Sequence, residues 1–255
     1  MTVVTNRQSI ADARVASATP GDNLGTSTLL SMHPTSRWSY IKFDTGDLLP
    51  EQIVSGRIYI YVTTAGNSSM GVYRVLSNWT EYGITWNNRP SLSAKLCNSV
   101  TLSTTGWKYS YNIPVSSIQA QINNGYGFCI YTNSSIIVNC YSREGAAKPY
   151  LNLTIYDIPG AFYLQSPANG ATVTSPVTLS WSTASGATSY EYRVGTTPGG
   201  GTWTNVGNVT NASPTGLLSG VPYYWSVRAV NSEGTRNCDS GEWSFTLGGG
   251  QVLIW

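Results

Sequence analysis

The chain is poor in charge, in histidine and in long apolar runs. Only 10% of its 255 residues are charged, and 14 Lys/Arg against 12 Asp/Glu leave a formal net charge of +2. So small a balance, with no Lys/Arg-rich run, offers no electrostatic footprint for nucleic acid. No apolar stretch reaches the length of a membrane span, so membrane insertion is not expected. His33 is the single histidine, flanked by turn residues and in no Ser–His–Asp order. The four cysteines, Cys97, Cys129, Cys140 and Cys238, form no CxxC pair. With one histidine beside them, they make no thiolate–imidazole zinc site. No carboxylate pair stands out for glycosidic chemistry. The triple glycines at 199–201 and 248–250 lie between strand-like segments, not before a helix as a phosphate loop requires. The chain therefore reads as non-catalytic and without a resident cofactor. Its start, MTVVTNRQSIADARV, has no basic-then-apolar leader. Either a leader precedes this numbering, or the protein reaches an extracellular surface as virion proteins do.

Gly, Ser, Thr, Asn and Tyr are plentiful, the profile of many short strands and polar turns. Apolar and polar residues alternate in Arg57–Val62, in Tyr150–Tyr156 and in Tyr190–Val194, the pattern of strands with one face on a core. One segment, Val115 to Gly125, suits a short helix: a serine cap, Ile118 and Ile122 one turn apart, and a closing glycine. Ile158-Pro159-Gly160 breaks the strand rhythm. The expected division is 1–158, 159–247 and a tail at 248–255. Eleven Lys/Arg and eight Asp/Glu fall in 1–158, against three and four in 159–255.

Residues 166–247 contain SPANGATVTSPVTLSWS, YEYRVG, GLLSGVPYYWSVRAVNSEG and GEWSFTL, and resemble a fibronectin type III domain. The resemblance implies a sandwich with Trp181 in its core and Tyr223 at a corner turn. In the first half, ADARVASATPGDNLGTSTLL, RWSYIKFDTGDLL, ITWNNRPS and YSREG together resemble the DNRLRE domain. That family is related to carbohydrate-binding modules of surface proteins and polysaccharide lyases. The resemblance implies a jelly-roll β-sandwich with no catalytic apparatus; some relatives bind acidic polysaccharides. The expected fold class is thus all-β: a jelly-roll sandwich, a fibronectin type III-like sandwich and a short C-terminal strand.

Strand parity nominates a surface. Ile41 and Phe43 fit the core side of the strand from Arg37, which turns Trp38, Tyr40 and Lys42 outward. Ile58, Ile60 and Val62 fit the core side of the strand from Arg57, which turns Arg57, Tyr59 and Tyr61 outward. If the two strands neighbour each other, the six side chains form one aromatic and cationic strip. Sugars stack their apolar ring faces on such plates at low entropic cost. The competing readings are that another element covers this face, or that it is simply a tyrosine-rich sheet exterior. Trp79 and Trp86, within NWTEYGITWNN, are expected to anchor a core or loop. Arg143 is expected to pair with Glu144 or to lock a loop.

Asp12, Asp22, Asn23 and Asp44 are oxygen donors near the first turns, the kind a structural Ca²⁺ uses, and equally ordinary turn residues. A hairpin centred on Ser134-Ser135 would set Cys129 opposite Cys140 for a disulfide, with free buried thiols as the alternative; Cys97 and Cys238 could form a second bridge. The closing GGGQVLIW puts the apolar Val252, Leu253, Ile254 and Trp255 after a glycine hinge, a strand suited to docking on a sheet edge. The expected partners are polysaccharide and copies of the chain or other surface proteins. Two readings stand: a structural or adhesive subunit of a virion or extracellular assembly, and a stand-alone carbohydrate-binding module with a spacer domain.

Overall fold

The computed structural model describes residues 2–133 and 135–248. These carry nineteen β-strands and one α-helix, so the all-β expectation holds. The strands form two compact units that divide between Ile155 and Tyr156.

The first unit contains β1 (Thr2–Ala16), β2 (Leu29–Met32), β3 (Arg37–Phe43), β4 (Ile53–Thr64), β5 (Met70–Val75), β6 (Leu92–Asn98), β7 (Gly106–Tyr109), α1 (Val115–Asn124), β8 (Phe128–Thr132), β9 (Val138–Tyr141) and β10 (Tyr150–Tyr156). The hydrogen-bonded order is β2-β9-β4-β10-β1-β3-β8-β5-β6, with β7 on β4. Inward residues of β4, β9 and β10 (Ile58, Ile60, Val62, Cys140, Leu151, Leu153) share one core with those of β3, β5 and β8 (Ile41, Phe43, Val72, Phe128, Ile130). The long β1 joins the two halves. It neighbours β10, shifts register between Ser9 and Ala11, and then pairs with β3 through Ala16. Such a bulge bends and re-aims a strand.

The helix α1 ends as its sequence suggests, with Gly125 left-handed at φ 67°. Its start does not: Pro114 occupies the N-cap and no side chain caps it, so the serine cap is corrected. Ser116 and Ser117 are the second and third residues of the helix, past the position from which a hydroxyl can cap.

The second unit contains β11 (Leu164–Ser166), β12 (Ala171–Val173), β13 (Leu179–Trp181), β14 (Ser189–Gly195), β15 (Thr204–Gly207), β16 (Asn211–Ala212), β17 (Pro222–Asn231), β18 (Gly234–Asn237) and β19 (Trp243–Leu247). One sheet runs β11-β13-β16. The other runs β12-β19-β17-β14-β15, with β18 on β17. Trp181, Tyr190, Tyr223, Trp225, Val227, Ala229 and Phe245 are buried between them. The Tyr223 hydroxyl accepts the Leu218 N–H at 2.8 Å. Outside this core, Trp203 lies between Arg193 and Arg228, whose charges are met by Glu242 and Glu191.

All four cysteines are free thiols. The expected Cys129–Cys140 pair is corrected by topology: β8 pairs with β3 and β5, whereas β9 pairs with β2 and β4. Cys140 points into the main core and Cys129 into a second cluster on the outer face of β3 and β8. Cys97 and Cys238 fall in separate units, each thiol bonded to a backbone carbonyl, of Tyr111 and Gly241. The apolar tail Val252–Trp255 lies outside the described residues.

Candidate carbohydrate-binding faces

The six-residue strip divides in two. Both strands have the expected parity, but β10 and β1 lie between β4 and β3 in the sheet order.

On β4, Arg57, Tyr59 and Tyr61 do face outward, and their neighbours extend the patch. Tyr59 is flanked by Tyr109 of β7 on one side and Tyr150 of β10 on the other. The Tyr59 and Tyr150 rings stack at 4.8 Å and 8°, and Tyr109 lies 5.4 Å from Tyr59. Trp107 of β7 pairs with Tyr61. Its indole meets Tyr61 at 5.5 Å and 83°, and also meets Tyr150 at 5.2 Å and 63°. Tyr150 is on the other side of β4, so the indole extends across the strand. Tyr141 closes the patch 5.6 Å from Tyr61. Trp107 remains 45% exposed on this bed of tyrosines. Arg57 stacks on Tyr109 and donates from Nε to Asn112 Oδ1 at 2.7 Å. No Asp or Glu occurs in β4, β7, β9 or β10. Burial, and secondarily the neighbouring Tyr59, push the Tyr150 phenol up.

On β3 the outward face is partly covered. Tyr40 is fully buried, edge-on to Trp79, and its hydroxyl donates to Pro90 O. The Trp79 indole in turn donates to Tyr126 O at 2.7 Å. Tyr40 is therefore removed from the ligand-contacting set: the 76–91 segment lies over it, and its Trp79 and Ile84 make a second small core with Ala13, Val15 and Cys129. Lys42 is spent on the same segment, donating to Asn78 Oδ1 and Trp79 O. Trp38 alone reaches an open groove, beside Tyr131, Tyr73 and Arg89.

The calcium set is also redistributed. Asp22 is exposed. Asn23 uses its amide on Glu81 O, Ile84 O and Gly25 N. The Asp44 N–H bonds Gln8 O, four residues along β1 from Asp12, which is about 13 Å at strand rise. The acidic cluster that forms instead is Asp12, Glu81 and Glu144, with one carboxylate oxygen from each within 4.8 Å of the others. Arg143 fills it. Its guanidinium donates to both Glu81 oxygens at 2.6 Å and pairs with Glu144 at 2.9 Å. The Arg143 N–H bonds Asp12 Oδ2 and the Asp12 N–H bonds Glu81 Oε1. Both Glu81 oxygens are committed to a guanidinium, so the donor set does not fit Ca²⁺. The arrangement locks a loop to β1.

Residues 3–155 match the model of carbohydrate-binding module family 96. The chain belongs to this carbohydrate-binding module family. The match spans the β4 face, the groove and the Arg143 cluster. Comparison with curated proteins gives no match. Among solved structures the chain is similar to a β-1,2-glucanase from Parabacteroides distasonis at 12% identity and TM-score 0.29, covering 98% of this chain and 37% of that one. It is also similar to the tripod of the bacteriophage Tuc2009 baseplate, at 11% identity and TM-score 0.18, covering 98% and 99%. Scores this low establish no shared architecture.

For this family 96 chain, parity alone missed Trp107, Tyr109, Tyr141 and Tyr150. Tyr150 carried a usable signal, because it opens an alternating strand whose Leu151 and Leu153 are inward. Trp107 and Tyr109 alternate in GWKY, but nothing local says that this four-residue strand lies beside β4.

Proposed function

We propose that the chain is a non-catalytic carbohydrate-binding protein whose primary glycan contact is the open face of β4, β7 and β10. The observation that carries this is Trp107: a 45% exposed indole held across a bed of stacked tyrosines, on strands without a carboxylate. A sugar offers C–H groups on one side of its ring and hydroxyls at its rim. The indole and phenols meet the first with little side-chain entropy left to lose. Arg57, oriented by Asn112, and the tyrosine hydroxyls meet the second. The second unit serves as a fibronectin type III-like spacer, a reading supported by its buried Trp181 and its Tyr223–Leu218 corner. Display on a virion or cell surface, with self-association through residues 252–255, extends this reading on sequence grounds alone.

An array of neutral and acidic oligosaccharides probed with the intact protein and with the Trp107→Ala/Tyr59→Ala variant tests the contact. Loss of at least tenfold in signal, with an unchanged circular dichroism spectrum, is expected. An unchanged array profile would remove the face from the account.

A further inference from the structure

We propose that the groove on the other sheet of the first unit is a second carbohydrate site, which makes the unit bivalent for an oligosaccharide chain. Its floor is a row of three parallel rings on three adjacent strands. Trp38 of β3 stacks on Tyr131 of β8 at 4.9 Å and 13°, and Tyr131 stacks on Tyr73 of β5 at 4.4 Å and 6°. Its wall is the 89–93 segment, pinned from three directions: Tyr40 Oη to Pro90 O, Leu76 N to Ser91 O, and Arg74 N to Ser93 Oγ. The groove between them measures about 500 Å³, within the range of small-ligand sites. Because the floor is stacked and the wall is tied down, the shape exists before any ligand arrives, which lowers the ordering cost of binding.

The lining chemistry selects the occupant. Arg89 lies over Trp86 at 3.9 Å and Trp38 at 4.9 Å, with one N–H on Trp86 O. No Asp or Glu lines the groove, so its charge is uncompensated there and a cationic ligand is disfavoured. A purely apolar ligand would leave the guanidinium and the Ser91 hydroxyl facing carbon. A sugar chain supplies C–H groups to lie against the edges of the stacked rings, together with acceptor oxygens for Arg89. The groove and the Trp107 face lie on opposite sheets of one sandwich. One polysaccharide can be gripped twice, or two can be bridged, and avidity follows from the linkage without new contacts.

The test uses the full chain and the same oligosaccharide array. Ser91 is exposed, so Ser91→Trp fills the groove from its wall without disturbing the core. Gly71→Ala is a second, independent variant, because its Cβ would come within 2.8 Å of the Tyr73 ring and displace it. The expected result is that Trp107→Ala/Tyr59→Ala keeps a residual, at least tenfold weaker signal, which either groove variant abolishes. If that double variant binds nothing while the intact protein binds, the groove is not a site. A residual signal that survives both groove variants overturns the assignment too. Binding that survives the double variant at full strength but falls with Ser91→Trp would sink the Trp107 face and leave the groove standing.

Discussion

Asp12 shows what one residue's surroundings do to its chemistry. Burial is the main cause, with Glu144 and Glu81 adding repulsion, and together they lift its carboxyl from 3.8 to about 7 against the opposing Arg143 N–H bond and charge. The folded chain thus holds a proton that the unfolded chain releases between these values. Stability is full below the unfolded value and falls as pH rises through the folded one. A lift of this size corresponds to on the order of 4 kcal/mol. Glu81 behaves oppositely. Burial pushes it up, but the Arg143 and Asp12 N–H bonds outweigh that and hold it below its ordinary 4.5, so its contribution is lost only in stronger acid. The melting temperature should fall between about pH 4 and pH 7 and level off above, and Asp12→Asn should flatten that slope. A wild-type melting temperature that rises across the window would contradict this account of Asp12. Removing the partner is the second test. Arg143→Ala strips a guanidinium from a nearly buried Glu81, but the arginine is 30% exposed. The expected loss in a urea titration is about 2 kcal/mol, below the value for a fully buried pair. An effect under about 0.5 kcal/mol would mean the cluster is a solvated surface group.

Among the elements, the strands were legible in the sequence and their neighbours were not. Alternation placed Ile41, Phe43, Ile58, Ile60 and Val62 inward, because burial on one face imposes a period of two. It could not tell that β10 and β1 separate β3 from β4, because pairing across a sheet is non-local. Nor could it tell that the 76–91 segment covers Tyr40, since a covered outer face and an open one have the same alternation. The four oxygen donors named for calcium disperse for a related cause. Asp and Asn at turns satisfy their own backbone, as Asn23 and Asp44 do, and only the fold brings Glu81 to Asp12. Close approach at Gly25 is part of that fold. A Cβ there would collide with the Glu81 backbone carbonyl, which cannot yield as a side-chain tip can. Gly25→Ala should therefore cost about 1–3 kcal/mol, read as a lower urea midpoint at unchanged m-value. A neutral result would mean that the 80–84 turn moves freely.

At the scale of the whole molecule, the chain carries two self-contained cores. Each unit has its own buried cluster, which is the physical basis for independent folding. A chain ending at Ile158 should keep a cooperative melt and the glycan retention of the full protein. Aggregation of that piece, with both lost, would show that the first unit needs the second. Cutting at residue 248 removes the apolar 252–255 segment. It should leave both melts unchanged while dissociating any assembly the tail holds.

Isothermal titration of the strongest array ligand against the intact protein and Trp107→Ala tests whether Trp107 is the main glycan plate. At least a tenfold weaker Kd is expected, with an unchanged melting temperature, partly restored by Trp107→Phe. Equal Kd values for the intact protein and Trp107→Ala would contradict it.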